Sequence, residues 1–413
     1  MIVINNFFSK IFLFCNSINM GGGLMQLVAY GAQDIYLTGN PQITFWKVVY
    51  RRCTNFAIES VEQTFMGNAA PGARASATIS RNGDLVSNCV LQIEADQHNT
   101  GPYTDGGMHA LIESVEVEIG GQKIDKHYSA WLQIWNELSN AHFGPQTDDS
   151  GPVVSGYGKA IGTLLDFNDA ETHYIPLAFW FNRNPGLALP LIALQYHEVK
   201  FNFQFAAATE IAKDNTKAPA ISSIKLFVDY IYLDTEERRR FAQQSHEYLI
   251  DQVQYTGAVS RTAGTGGMQS LRLDFNHPCK ELLWVERQTT RNTTKGFPTD
   301  FVQIGGTDGS TALLQLNGHD RFAKRPMNYF TRVQPLQHHT NVPYGDRIGV
   351  YSFGLRPEDH QPSGTCNFSR IDNATLQLTL AHANGAANEF QVYATNYNVL
   401  RIMSGMGGLA YSN

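Results

Sequence analysis

The sequence predicts an all-β chain of two tandem eight-stranded jelly-roll β-sandwiches with few short helices. Three observations predict it. First, one series of segments runs twice. VEIGGQKIDKHYSAWLQIW (117–135) places a strand, a Gly120-Gly121 turn and an aromatic-rich stretch in the order that LLQLNGHDRFAKRPMNYF (313–330) repeats around Asn317 and Gly318. Second, each copy is followed by a Pro- and Gly-rich run, an alternating strand (VKFNFQF, 199–205, or ATLQLTL, 374–380) and a long closing strand (IKLFVDYIYLD, 224–234, or EFQVYATNYNVLRIM, 389–403). Third, the chain has 413 residues, too many for one ordinary core and enough for two units of roughly 200 residues. About eight short, turn-separated strands per half point to sandwiches, among which the jelly roll is the commonest eight-stranded solution.

The elements follow in order. Residues 1–24 are expected to be a flexible N-terminal extension. Its apolar cluster IFLF is too short to span a bilayer, and little positive charge or small-residue cleavage pattern surrounds it. Met20 opens a compositionally distinct segment, so the functional chain is expected to start there. The first jelly roll is assigned to 25–234. Within it, NPQITFWKVVYRR (40–52) reads as a short element entered through Asn40-Pro41. In ESVEVEIGG (113–121), Val115, Val117 and Ile119 point to the core and Glu116 and Glu118 to water. Trp131, Ile134, Trp135 and Leu138 have the spacing of an amphipathic helix lying against a sheet edge. Residues 143–172, rich in Gly, Asp, Ser and Pro, read as a long exposed excursion. In VKFNFQF the stripe of Val199, Phe201, Phe203 and Phe205 requires an opposing sheet to cover it. A linker helix is assigned to 235–247, with Asp234 and Glu237 spaced as in a capping box. The second jelly roll is assigned to 248–413, where Pro357 and Pro362 keep the loop 356–364 extended.

Composition narrows the function. Net charge is −6, without a basic block, so direct nucleic-acid binding is not expected. Arg51-Arg52 and Arg238-Arg239-Arg240 read as solvated faces or helix flanks. The five cysteines, at 15, 53, 89, 279 and 366, form no CxxC pair and read as reduced, mostly buried thiols of a cytoplasmic setting. SGYGKAIG (155–162) has neither GxGxxG nor GK followed by Ser or Thr, and reads as a plain loop. SGMGGLAYSN (404–413) reads as a flexible tail.

His338-His339 and Asp359-His360 could ligate a metal, but no HxH pair occurs among the 13 histidines and no GxSxG elbow is present. The pairs therefore read as surface or hydrogen-bonded groups. No catalytic, cofactor-binding or metal-binding residue is assigned, and the chain is not expected to be an enzyme. Asn292, Asn367 and Asn373 satisfy the N-glycosylation pattern and are weak candidates only.

Four long runs carry a family resemblance: MQLVAYGAQDIYLTGNPQITFWKVVYRRCTNFA (25–57), DFNHPCKELLWV (274–285), YGDRIGVYSFGLRPEDHQPSGTCNFSRIDNATLQL (344–378) and YATNYNVLRIMSGMGGLAYSN (393–413). They resemble the major capsid proteins of nucleocytoplasmic large DNA viruses, the family of iridoviruses, phycodnaviruses and mimivirus relatives. Residues 1–19 extend beyond the family's usual opening. The resemblance implies a late structural protein of double jelly-roll fold. It implies a pseudo-hexagonal homotrimer that tiles an icosahedral shell with neighbouring capsomers and minor capsid or cement proteins over an inner membrane. It also implies location in the virion after assembly in the host cytoplasm. A carbohydrate-binding β-sandwich is the alternative from another class, with Trp131, Trp135, Tyr174 and Trp180 as stacking surfaces, although their spacing favours core packing. A minor vertex or spike protein of the same virion is a further alternative.

Overall fold

The computed structural model describes residues 22–411 apart from 96–105, 141–145, 149–150, 154–159, 162–170, 212–219, 262–266, 290–298, 300, 306–308 and 382–386. Most of the expected excursion at 143–172 lies outside the described residues. In chain order the strands of the first half are β1 (Phe56–Gln63), β2 (Phe65–Met66), β3 (Arg74–Thr78), β4 (Leu85–Ala95), β5 (Ile112–Ile119), β6 (Gln122–Tyr128), β7 (Gln146–Asp148), β8 (Gly151–Val153), β9 (Glu171–Pro176), β10 (Leu189–Pro190), β11 (Val199–Phe205) and β12 (Ile221–Leu233). Those of the second half are β13 (His246–Arg261), β14 (Gly267–Arg272), β15 (Pro278–Gln288), β16 (Thr311–Leu316), β17 (His319–Asp320), β18 (Arg325–Pro326), β19 (Ile348–Ser352), β20 (Cys366–Asn367), β21 (Ala374–Leu380), β22 (Asn388–Met403) and β23 (Met406–Leu409).

Strict alternation decides the sheets. In β11 the Val199, Phe201, Phe203 and Phe205 side chains are buried while Lys200, Asn202 and Gln204 are partly exposed. The same parity holds in β5, where Val115, Val117 and Ile119 are buried. The register Phe201↔Val117 and Phe203↔Val115 brings the two stripes onto one inner face. Each such side chain contributes about 1.5–3 kcal/mol of burial, so a one-residue slip of β11 would forfeit the whole stripe at once. Ile224, Leu226 and Val228 of β12 and Leu91 and Ile93 of β4 close the core from the opposite sheet.

The two halves share one topology. In the first, the sheets run β1-β12-β4-β10 and β2-β3-β11-β5-β6; in the second they run β13-β22-β15-β19 and β14-β21-β16-β17, all antiparallel in the paired registers. Taking the eight principal strands of each half in sequence, both halves read 1-8-3-6 in one sheet and 2-7-4-5 in the other. That order is two nested Greek keys, a jelly roll, repeated. The second core gathers Leu376 and Leu378 of β21, Leu314 of β16, and Leu282 and Trp284 of β15.

The matched turns have a matched cause. Gly120 and Gly121 stand at φ 57° and 83°, and Asn317 and Gly318 at 51° and 81°. Two consecutive positive φ values make the tight hairpin whose twist suits antiparallel strands, and only Gly and Asn adopt them cheaply. Gly349 serves a different need. It pairs across the ladder with Trp284, and a Cβ there would stand 2.2 Å from the indole. Gly349→Ala is therefore expected to destabilise the second sandwich by about 1–3 kcal/mol, the usual cost of overpacking. Urea unfolding of the two proteins side by side checks this, and an unchanged midpoint would show that the indole has room to move.

The segment at 235–247 contains the helix Thr235–Gln243. Asp234 stands at its N-cap without making the side-chain bond that a capping box requires; it contributes only its carbonyl, to the Arg238 N–H. Residues 55–413 form one contact unit, and those up to Thr54 form another. Within the latter, the described chain has short helices at Gly22–Val28 and Ile35–Thr38, and the 40–52 stretch has no regular helix or strand.

Candidate functional site

The surface chemistry is that of contact. Helix Ser129–Ser139 leaves the first sandwich directly after β6, and its Trp131, Ile134 and Leu138 are buried against Leu283 and Val285 of β15, Ile348 and Val350 of β19, and Tyr393 of β22. The spacing predicted the helix but placed it on a sheet edge. It lies instead on the outer face of the other sandwich, because that face is apolar and would otherwise be wet. Trp131 and Tyr393 lie 6.0 Å apart between ring centroids, and Tyr128 and Tyr255 lie 5.0 Å apart.

Polar groups fix the register of this joint. The Asp125 carboxylate accepts the Val253 N–H across it at 3.0 Å and the Lys126 N–H at 2.9 Å. Its other oxygen lies 2.9 Å from Nε2 of His127, whose ring stacks on Phe179 at 4.2 Å. The Gln252 amide donates to the Ile124 carbonyl. Asp251 of β13 stands between Lys280 at 3.1 Å and Arg183 of the first sandwich at 3.6 Å. Burial lowers the Lys280 pKa, partly offset by Asp251 beside it.

The chain end belongs to the joint as well. The sequence reads 404–413 as a flexible tail; instead Ser404 and Gly405, at φ 52° and 81°, turn the chain so that β23 pairs back onto β22. Gly405 accepts the Tyr196 N–H, Gly407 contacts His197, and the Leu409 N–H donates to Gln122. At Gly407 a Cβ would lie 2.6 Å from Leu194. The glycines there allow close approach of strand and sandwich, which the tail reading did not foresee. Residues 412–413 lie outside the described chain.

One ionic cluster had no signal in local spacing. Nε2 of His339 lies 2.9 Å from Glu281 and Nδ1 lies 2.9 Å from Glu358, with no solvent access to the imidazole. Thr395 donates to Glu281 and Thr340 to Glu358. Burial works against the charged imidazole, but the two carboxylates outweigh it and hold the pKa at about 9. Burial likewise opposes the Glu281 charge, and His339, Lys280 and Thr395 together bring that carboxyl below its ordinary value. The cluster ties β15 and β22 to the loop around Glu358. Neighbouring His338 bonds the Leu355 carbonyl. Among the described residues no group of three or more His, Cys, Asp or Glu is placed to hold a metal ion.

The remaining candidates fall as follows. Trp131 and Trp180 are buried, and Trp135 lies under the Arg183 guanidinium at 4.4 Å, so of the four proposed sugar-stacking residues only Tyr174 is exposed. Cys89 and Cys279 are buried free thiols, both raised in pKa by that burial, Cys89 to about 12, and Cys53 is exposed. Asn367 and Asn373 are exposed, yet the Asn367 side chain accepts the Ser369 N–H. Asn292 and most of 155–162 lie outside the described residues. No helix among the described residues is long and apolar enough to cross a membrane.

In contrast to the covered sheet of the second sandwich, the corresponding sheet of the first presents an apolar outer surface: Phe56 and Ile58 of β1, 55% and 57% exposed, beside the partly exposed Ile231 and Leu233 of β12.

Two family models match the chain, "Major capsid protein N-terminus" over residues 44–234 and "Large eukaryotic DNA virus major capsid protein" over 237–408. The major capsid protein of Pyramimonas orientalis virus is 51% identical over 420 residues, covering 95% of this chain and all of that protein. That of Paramecium bursaria Chlorella virus 1 is 44% identical over 452 residues, again across 95% of this chain and all of the relative. Among solved structures, PBCV-1 VP54 fitted into a reconstruction of the virophage Sputnik superposes with a TM-score of 0.76 at 39% identity, over 90% of this chain and 100% of that one. With its repeated jelly-roll topology and near full-length identity to these proteins, the chain belongs to the family of large eukaryotic DNA virus major capsid proteins.

Proposed function

We propose that this chain is the main building block of a viral shell and works by self-assembly as a homotrimer of pseudo-hexagonal outline. Three chains of two like sandwiches present six near-equivalent corners, and six-cornered blocks tile a surface without gaps. The observation that carries this is the repeated strand order within one chain, 1-8-3-6 and 2-7-4-5 in both halves. The reading extends to an icosahedral capsid over an internal membrane, to neighbouring capsomers and minor capsid or cement proteins as partners, and to assembly in the host cytoplasm. It assigns no catalysis. The sandwiches at 25–234 and 248–413, joined through 235–247, are its two working parts. Asn292, Asn367 and Asn373 stay weak candidates for surface glycans.

Light scattering behind size-exclusion chromatography tests it. A mass of three times 46.0 kDa is expected; a persistent monomer at micromolar concentration would remove the basis of the proposal. Densitometry of purified particles should also show the chain as the dominant band, which a minor vertex or spike protein would not be.

A further inference from the structure

The cysteines form no motif in sequence, yet folding sets two of them opposite each other. Cys279 of β15 and Cys366 of β20 are direct cross-strand partners, next to the pair Pro278↔Asn367. The register is clamped on both sides. The His277 carbonyl accepts the Phe368 N–H at 3.0 Å, the His277 N–H donates to Oγ of Ser369 at 2.8 Å, and the Lys280 carbonyl accepts the Phe353 N–H at 2.8 Å. Directly opposed residues of antiparallel strands share one face and have Cα atoms about 4.5–5.5 Å apart, inside the roughly 4.4–6.8 Å that a disulfide spans. Both thiols are free, Cys279 buried in the core of the second sandwich and Cys366 partly buried against it. Of the other described cysteines, Cys53 lies in no strand and Cys89 stands opposite Val228.

We propose that Cys279 and Cys366 are a modification site, a dithiol that closes to a disulfide on oxidation and staples the β20 segment to β15. The co-reactant is a small-molecule disulfide. The Cys366 thiolate attacks one of its sulfurs and expels a thiolate, leaving a mixed disulfide on Cys366; the Cys279 thiolate then attacks the Cys366 sulfur and expels the second. Two protein thiols give up two electrons, the small disulfide is reduced to two thiols, and the two protons pass through solvent to the departing thiolates. Access sets this order. Burial of Cys279 raises its pKa and keeps it a thiol, whereas Cys366 is partly exposed and the nearby Arg321 offsets part of the same effect. β20 is two residues long, so the small approach that the bond requires falls on it rather than on the body of the sheet. The closed loop contains β16 to β19 and restrains much of the second sandwich in the unfolded chain. One consequence rests on the shell reading: a shell assembled in reducing surroundings gains the bond only when it meets an oxidising medium, and hardens after assembly.

The test uses the full chain, reduced, unfolded and refolded in a buffer of reduced and oxidised glutathione, with free thiols then blocked by iodoacetamide in denaturant before digestion with trypsin. A peptide ending at Lys280 joined to one ending at Arg370, and absent after reduction, is expected. Folded protein in which Cys279 and Cys366 are alkylated, carry glutathione or are joined to other cysteines overturns the site. The thermal midpoint should be several degrees higher for the linked chain than for the reduced one, and an unchanged midpoint overturns the stapling role. Cys279→Ala is expected to stop at the glutathione adduct on Cys366, and Cys366→Ala to leave Cys279 unmodified. Should either variant fail to fold, the wild-type peptide map decides alone. A trimer without the linkage refutes the site and leaves the shell reading standing, whereas the linkage in a persistent monomer upholds the site and removes that reading.

Discussion

Trp131→Ala is expected to lower the unfolding free energy by about 3–5 kcal/mol, the range for deleting a buried tryptophan, and to loosen the two sandwiches from each other. Trp131 has no solvent access and touches the second sandwich through Tyr393 and its neighbours. Its loss removes transfer free energy and opens a cavity that two rigid sheets cannot collapse to fill. The wild-type chain should unfold in urea as one transition, because 55–413 is a single contact unit. In the variant, tryptophan fluorescence and circular dichroism should separate into two transitions as the coupling weakens. A loss below about 1 kcal/mol, far short of that expected for a filled core, would mean that the hydrogen bonds of Asp125 and Gln252 hold the joint by themselves.

The second large effect is pH-dependent. His339 titrates at about 9 in the folded chain and near 6.5 when unfolded. Its charged form is therefore favoured by folding. The stabilisation is full below about pH 6.5, declines as pH rises toward 9 and is gone above it. Moving a pKa that far corresponds to about 3 kcal/mol. Glu281 shifts the opposite way, its folded value lying below the ordinary 4.5, so its contribution is present above that value and is lost only in acid. Urea midpoints at pH 6 and pH 9.5 should fall steeply in the wild-type chain. His339→Gln should be less stable at pH 6 by about 3–5 kcal/mol, since the buried Glu281 loses its ion-pair partner and keeps only the more remote charge of Lys280, and nearly flat between the two pH values. An equally steep fall in the variant would place the pH dependence elsewhere.

Much of the fold was legible because strands write their parity into the chain. The Val199–Phe205 and Val115–Ile119 stripes and the Gly120-Gly121 and Asn317-Gly318 turns are local facts: a pleat of period two and a positive φ each demand particular residues at particular positions. Asp234 and Glu237 show the limit of such reasoning, since correct spacing did not produce the side-chain cap. The tail at 404–411 was misread for a related reason. Its glycines signal freedom when considered alone, but they signal close approach once Leu194 and His197 stand opposite. His339, Glu281 and Glu358 carry no common spacing, and only folding brings them together.

The sequence by itself determined the two jelly rolls, their repetition and the absence of a recognisable catalytic motif, since periodicity and turn chemistry act over a few residues. The tertiary structure alone decided which sheet face is covered by Ser129–Ser139 and which stays open at Phe56 and Ile58, and which buried charges face one another. An apolar outer face looks the same in sequence whether a helix lies on it or not. Burial and Coulomb attraction depend on distances between residues far apart in the chain, and those distances exist only after it has folded.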